Sequence, residues 1–281
     1  MIRIGLLALL AVLSTIATAG AQGGGSTRSP SDRAPDGVVS VAAEGTQFRL
    51  TLADGRVLRS LDLVGATLVV AVEGGLARVR LASVERDPNA KSADVWLHTM
   101  MVEQRDGSLI NLCQTGPDGR AQGFPLASRR NASGGTENTP AEQFEIVCSG
   151  GARAKCVRFG YRPWIAEEEY LYNSCTRMVR ADYCGQGEGT TRDGMSIDLY
   201  DDQGIQRPDI AAHQAFEAGW TPDGAVCVGH VRVSENIDLA RLVAACPRLA
   251  DRVGPACTEQ VARGLGARLF NRSTPPGQAR P

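Results

Sequence analysis

The residues best suited to acid–base chemistry are the histidines and a group of aspartates in the second half of the chain. The histidines are His98, His213 and His230. His230 follows the apolar run 226–228, and the end of a strand is a common place for a catalytic group. A hydrolase using His230 would need an orienting carboxylate, for which Asp182 and Asp198 are the candidates. The sequence has no G-x-S-x-G motif, so the other hypothesis is a histidine that serves only the fold.

The charge of Asp182 needs a partner, because this residue falls near the C-terminal end of a predicted helix. The helix dipole disfavours a negative charge at that end, so a cation must offset it. We expect a bidentate ion pair with Arg177, Arg180 or Arg192. A carboxylate that acts as a general base is the alternative.

A short acidic stretch follows the motif Arg192-Asp193-Gly194. Asp193, Asp198 and Asp201 are spaced as calcium ligands sometimes are, although not in the EF-hand order. They are weak calcium candidates, and the alternative is a turn with a solvated acidic edge. Apart from these, the sequence predicts no metal and no cofactor.

Eight cysteines lie beyond residue 112. They are Cys113, Cys148, Cys156, Cys175, Cys184, Cys227, Cys246 and Cys257. An even number behind an export signal predicts a complete set of disulfides. The sequence alone does not choose among the 105 possible pairings. Cys113 and Cys148 end successive predicted strands and are a natural pair, and a bridge between Cys246 and Cys257, which flank one turn, would close a short loop. A zinc site is the alternative, but the close C-x2-C pair typical of zinc is absent from the sequence.

The first 21 residues have the three parts of a signal peptide. Arg3 supplies the positive charge, residues 4–16 form an apolar run, and Ala19-Gly20-Ala21 offers a cleavage site before Gln22. A transmembrane anchor needs about 20 apolar residues, which is more than this run provides. We expect a secreted or periplasmic protein with no lipid attachment and no membrane span after cleavage.

The net charge gives little support to a nucleic-acid partner. It is −1 for the whole chain, and loss of Arg3 with the signal gives −1 − 1 = −2. Binding to nucleic acid or to an anionic membrane usually needs a strong basic bias. The expected partner is therefore an unidentified ligand or another molecule of the envelope or extracellular space.

The patterns along the chain predict an α+β protein in five parts. Residues 1–21 are the signal, 22–37 a disordered linker, 38–141 a β-rich region, 142–270 a disulfide-rich α+β domain, and 271–281 a disordered tail. Short alternating runs with Asp-Gly turns predict an antiparallel sandwich or barrel in the β-rich region. Its last part, 114–141, is rich in Gly, Asn and Pro and predicts an exposed loop.

The second half changes to a helical period. We predict helices over 167–183, 239–245 and 258–269, and strands over 195–200 and 225–233. His213 falls in a helix-like stretch, 210–216. Trp164 and Trp220 stand beside Pro or Gly in predicted loops, where they would either stack on a ligand or cap the core.

Several motifs in this half carry a family resemblance. The run Cys175-Thr-Arg-Met-Val-Arg-Ala-Asp-Tyr-Cys184-Gly is followed by Thr191-Arg-Asp-Gly194 and Ile197-Asp198. With Gly160-Tyr-Arg-Pro-Trp164 and Phe216-Glu-Ala-Gly-Trp220, these residues resemble the bacterial ADYC-domain family over at least 144–260. The resemblance implies an exported bacterial domain and supplies no catalytic residue. It favours a non-enzymatic, disulfide-stabilised binding or structural domain, with the hydrolase as the alternative.

Overall fold

The computed structural model describes residues 37–72, 75–92, 94–209 and 214–278. The described chain forms two compact units, and the main division falls between residues 150 and 151, somewhat beyond the predicted boundary. Two short segments that precede this division, 89–92 and 129–138, nevertheless belong to the second unit. The predicted signal peptide and residues 22–36 of the predicted linker lie outside the described residues.

The first unit is built from antiparallel strands. They are β1 (Val38–Glu44), β2 (Gln47–Leu52), β3 (Val57–Arg59), β4 (Thr67–Val72), β5 (Gly75–Arg86), β6 (Trp96–Glu103), β7 (Leu109–Asn111), β8 (Gly123–Leu126) and β11 (Glu145–Cys148). The hairpin strands β9 (Ser128–Arg130) and β10 (Thr136–Asn138) lie between β8 and β11 in the chain. One sheet has the order β1-β2-β3. The other has the order β11-β8-β6-β5-β4, with β7 also paired to β6. The predicted Asp-Gly turns join β2 to β3 and β6 to β7.

One apolar core lies between these two sheets. Phe48 and Leu50 of β2 pack in the same buried cluster as Leu68 of β4, Leu81 of β5 and Met100 of β6. Alternating residues of each strand therefore face inward, as the period-2 pattern predicts. Of the two predicted architectures, the sandwich is the one that forms.

The prediction of an exposed loop over 114–141 is wrong for its middle part. Residues 123–126 form β8, which is buried along its whole length between β6 and β11. Gly123 makes this possible, because a Cβ there would lie 2.5 Å from the carbonyl oxygen of Val147 and 3.0 Å from Cys113 Sγ. This glycine is therefore required by close packing on the disulfide Cys113–Cys148, and it does not indicate a loop.

The second unit combines helices with a four-stranded sheet. The helices are α1 (Ala152–Arg158), α2 (Ala166–Arg180), α3 (Leu239–Ala245) and α4 (Glu259–Gly264). The strands of the sheet are β12 (Ile197–Asp201), β13 (Ala215–Thr221), β14 (Gly224–Val228) and β15 (Leu269–Ser273), in the order β12-β15-β13-β14. The segment 129–138 adds most of a small hairpin, β9 (Ser128–Arg130) and β10 (Thr136–Asn138).

Predicted and observed elements of this unit differ in several places, including β13, which contains the Trp220 of a predicted loop, and β14, which ends at Val228. Helix α1 was not predicted, although Cys156 within it is bonded to Cys175 of α2. The predicted helix over 258–269 is shorter, because α4 ends at Gly264 and the chain returns to the sheet as β15. Asn271 and Ser273, placed in the predicted tail, are fully buried in β15.

All eight cysteines are paired, but Cys246 and Cys257 are not bonded to each other. Cys246 bonds Cys184, and Cys257 bonds Cys227. The cause lies in the chain between Cys246 and Cys257, where Val253 forms a parallel bridge to Val228. That bridge carries the following Cys257 to the strand that holds Cys227. Among the described helices, none has the length and apolar character needed to cross a membrane.

His98 is fully buried in the first unit, and both of its ring nitrogens are hydrogen-bonded. Its Nδ1 lies 3.1 Å from the carbonyl oxygen of Gly123, and its Nε2 lies 2.8 Å from Ser60 Oγ. Since a carbonyl only accepts, Nδ1 carries the proton and the Ser60 hydroxyl donates to Nε2. Ser60 Oγ accepts the Phe48 N–H at 2.8 Å. Burial lowers the pKa of His98 to about 4, partly opposed by the Gly123 carbonyl.

This histidine should make stability fall with pH between about 6.5 and about 4. In that window the unfolded chain binds the proton and the folded chain does not, so acid favours unfolding. The loss of unfolding free energy amounts to about 3 kcal/mol over the whole window. His98 causes no change with pH above the window, and below it the loss stays constant. Urea unfolding of wild type and His98→Asn at pH 7, 5.5 and 4.5 measures this. Equal pH slopes in the two proteins would contradict the assignment.

Candidate functional site

The segment Ala181-Asp182-Tyr183-Cys184 turns the chain out of α2, and we take it as the candidate site. Ala181 has a left-handed backbone, with φ 51°, and its N–H donates to the carbonyl of Met178 at 3.0 Å. The next N–H, of Asp182, donates to the carbonyl of Arg177 at 3.0 Å. This pair of bonds is the way a helix commonly ends at a left-handed residue. It explains why α2 stops at Arg180, before the predicted end at Tyr183.

Asp182 is bonded on both carboxylate oxygens. Arg177 Nη1 donates to Oδ2 at 2.6 Å, and both side chains are almost fully buried. The N–H groups of Gln186 and Gly187 donate to Oδ1 and Oδ2 at 3.1 and 2.9 Å. The ion pair predicted for Asp182 is therefore present, with Arg177 as the partner. Through its bonds to the N–H groups of Gln186 and Gly187, Asp182 fixes the loop 185–189 against the end of α2.

Tyr183 points into a buried ion pair between β13 and the chain that follows β14. Arg232 donates to Glu217 through Nε at 3.0 Å and through Nη2 at 2.9 Å, and neither side chain has more than 1% of its surface exposed. The Tyr183 hydroxyl donates to Glu217 Oε1 at 3.0 Å and accepts the Arg232 N–H at 2.9 Å. The sequence motif and the ion pair thus form one network.

Electrostatics in this network favour the charged pair. Burial acts to raise the pKa of Glu217, but the charge and hydrogen bonds of Arg232 outweigh burial and leave it below its usual value. Burial and the neighbouring Glu217 carboxylate raise the pKa of Tyr183 well above its usual value. Tyr183 is therefore a neutral donor, and it has no role as a phenolate at ordinary pH.

The same guanidinium also donates to backbone carbonyls at the C-terminal end of α2. Arg232 Nη2 donates to the Met178 carbonyl at 3.0 Å, and Nη1 lies 3.3 Å from the Val179 carbonyl. Carbonyls of the last helical turn lack partners within the helix, so Arg232 supplies them. One buried cation thereby connects the helix, the motif and the sheet.

Two further contacts hold the motif from its other sides. The Trp220 ring stacks on Tyr183 with centroids 5.3 Å apart, and its Nε1 donates to Asn271 Oδ1 at 2.8 Å. Trp220 is fully buried in β13, so of its two predicted roles the core role is correct. Arg248 donates to the Tyr183 and Asp223 carbonyls at 3.0 and 3.2 Å.

His230 is half-buried and bonded to Ser273, a partner that the sequence did not suggest. Its Nε2 lies 3.0 Å from Ser273 Oγ, and Ser273 has no exposed surface. Burial lowers the pKa of His230, while the Glu217 charge and backbone carbonyls act against that shift. Among the described contacts, His230 has no hydrogen bond to Asp182 or Asp198. The observed partners are Ser273 for His230, Arg177 for Asp182 and the Asp209 N–H for Asp198.

The three calcium candidates lie in different surroundings. Asp201 accepts the N–H groups of Gln203 and Gln206 at 2.8 and 2.7 Å and the Tyr161 hydroxyl at 2.9 Å. Asp198 accepts the Asp209 N–H at 2.9 Å, whereas Asp193 is exposed in a turn. In the described part of the chain, no three His, Cys, Asp or Glu residues are grouped to hold a metal.

The remaining candidates lie elsewhere. His98 belongs to the first unit, and His213 lies outside the described residues.

Sequence reasoning missed Glu217 and Arg232, although each interrupts an apolar run, in Phe216-Glu217-Ala218 and Val231-Arg232-Val233. A charge within a buried strand usually has a buried partner. Opposite charges in two such runs were the available signal.

The comparisons with known proteins agree with the motif. The family model described as the ADYC domain matches residues 60–234, well over half of the chain. This match begins earlier and ends earlier than the resemblance noted over 144–260. Neither the curated proteins nor the solved structures contain a match.

Removing Arg232 should be far more damaging than removing an exposed arginine. Arg232→Met leaves the Glu217 carboxylate buried and unpaired, which costs about 3–5 kcal/mol of unfolding free energy. Adding Glu217→Gln to Arg232→Met removes the stranded charge while keeping an acceptor for Tyr183, and should recover part of the loss.

Urea unfolding followed by circular dichroism measures these variants. Arg78→Met breaks a half-exposed ion pair, with Glu103, and should leave the midpoint close to wild type. If Arg232→Met were no worse than Arg78→Met, the ion pair would not be the central contact of the unit.

Proposed function

This chain belongs to the ADYC domain family, and we propose that it acts as an exported, non-enzymatic binding domain held rigid by disulfides. The observation that carries the proposal is that the motif serves the fold. Asp182 is bonded to Arg177 and to loop N–H groups, Tyr183 to Glu217, and Cys184 to Cys246. A group that must hand over a proton or attack a substrate needs access to it, and Asp182 and Tyr183 have almost none.

Disulfide pairing supports the export part of the proposal. The structure has four disulfides and no free cysteine. Such bonds persist in oxidising compartments outside the cytoplasm. Rigid loops are suited to binding, because less conformational entropy is lost when a ligand is held by groups that are already in place.

A hydrolase that uses His230 with Asp182 or Asp198 is the alternative. The geometry favours the non-enzymatic function, since Asp182 is bonded to Arg177, Oδ1 of Asp198 accepts the Asp209 N–H, and Ser273, beside His230, is buried. The two functions make different predictions for the same substitution.

The purified mature protein and His230→Ala should show equal, background rates on chromogenic esters, glycosides, phosphates and peptides. Circular dichroism and the melting temperature establish that the variant is folded. A wild-type rate well above background that His230→Ala loses would overturn the proposal. A third protein, Gln214→Ala, controls for contaminating hydrolases because it should purify with the same background.

Export predicts a defined mature end. Expressed in a bacterium with its own N-terminal segment, the protein should be recovered outside the cytoplasm with a mass that begins at Gln22 and includes four disulfides. Replacing Ala19 and Ala21 together with Lys should block the cleavage, because signal peptidase requires small residues there. Intact mass spectrometry measures both. Recovery of the full 281-residue chain from wild type in the cytoplasm would contradict this prediction.

A further inference from the structure

Two loops of the second unit touch backbone to backbone beside the motif. One is the hairpin loop 131–135, closed by the bond from the Asn131 N–H to the Gly135 carbonyl at 3.0 Å. The other is the loop 185–189, fixed by Asp182. A Cβ on Gly134 would overlap Gly187, and a Cβ on Gly187 would lie 3.0 Å from Gly134 Cα. Only glycine at both positions allows this approach.

Two arginine side chains meet at this contact. Arg180, in the last turn of α2, donates through Nη2 to the Gly187 carbonyl. Arg130, at the end of β9, places its Nη2 3.3 Å from the Cβ position of Gly134. Since Gly134 and Gly187 touch, both guanidinium groups lie on the same small patch of surface.

Neither arginine forms an ion pair among the described contacts, although Glu188 lies next to Gly187 in the same loop. Asp182 is occupied by Arg177 and two backbone N–H groups. In the described part of the chain, the exposed side chain of Arg130 makes no hydrogen bond or ion pair. Burial and then the positive charge of Arg130 lower the pKa of Arg180, and the Asp182 carboxylate acts against this shift.

We propose that Arg130 and Arg180 form a binding site for an oxyanion carried by the ligand of this domain, a phosphate or carboxylate group. This inference rests on the proposed binding function and names its ligand chemistry. Guanidinium groups present donors in a planar fork that matches such anions. A bound oxyanion would relieve the repulsion between the two cations.

The backbone of the site and the Arg180 side chain are fixed before any ligand arrives. Arg180 is fixed by Gly187, the loop 185–189 by Asp182, and the hairpin loop by Arg177, which donates to the Ser133 carbonyl at 3.0 Å. The Cys184–Cys246 bond holds the start of the loop 185–189. Apart from the Arg130 side chain, little ordering remains to be done on binding, which favours affinity.

Titration of the full mature protein with inorganic phosphate, and separately with citrate, tests the site. Ionic strength is held constant with sodium chloride so that general screening does not change. We expect saturable stabilisation of the melting temperature by at least one of the two anions, because a ligand that binds only the folded state stabilises it. Preference for phosphate or for citrate distinguishes a phosphorylated ligand from a carboxylated one.

Arg130→Gln should raise the dissociation constant at least tenfold without unfolding the protein, because the exposed side chain of Arg130 makes no hydrogen bond or ion pair in the described structure. Arg105→Gln, an exposed arginine of the first unit, should bind as wild type does. Failure of both anions to bind wild type, or an unchanged dissociation constant in Arg130→Gln, would overturn the site. Neither result bears on the hydrolase assay, so the proposed function is judged separately.

Discussion

The second unit depends on one buried ion pair, Glu217 with Arg232. Either charge alone in that position would be strongly destabilising, because burial removes its hydration without replacing it. Together they accept and donate in fixed directions, and those directions reach the last carbonyls of α2 and the hydroxyl of Tyr183. A packed apolar core would tolerate small shifts of a helix over a sheet. A bidentate ion pair with three further partners does not, so it specifies where α2 ends relative to β13.

The motif that marks the family is a corner in which each residue has a different physical task. Ala181 takes the left-handed conformation that ends the helix. Asp182 holds the loop after it, Tyr183 joins the ion pair, and Cys184 is bonded to the end of α3 through Cys246. A short run of residues therefore fixes a helix end, a loop and a core contact at once. That is reason enough for the motif to be specific without any of its residues touching a substrate.

Local patterns predicted much of this fold, and long-range geometry limited the rest. Most strands of the sandwich, though not β8, follow from periodicity, as do α3 and most of α2, and Cys113–Cys148 follows from neighbouring strands. The exchange of partners between Cys246 and Cys257 could not be predicted, because it depends on the parallel bridge of Val253 to Val228. The site shows the same limit. Asp182 and Arg177 are only five residues apart, and Arg177 was one of the three predicted partners, whereas His230 with Ser273 joins residues 43 apart in sequence.

The four disulfides differ in how they are threaded along the chain. Cys113–Cys148 and Cys156–Cys175 each join consecutive cysteines. Cys184–Cys246 and Cys227–Cys257 interlace, so that each closed loop contains one end of the other. If cysteines were oxidised in the order in which they emerge, Cys184 would meet Cys227 before Cys246 was present. The native threading then requires either that the unit folds before it is oxidised or that a thiol exchanges the early bridge. Maturation of the first half of the chain carries no such requirement.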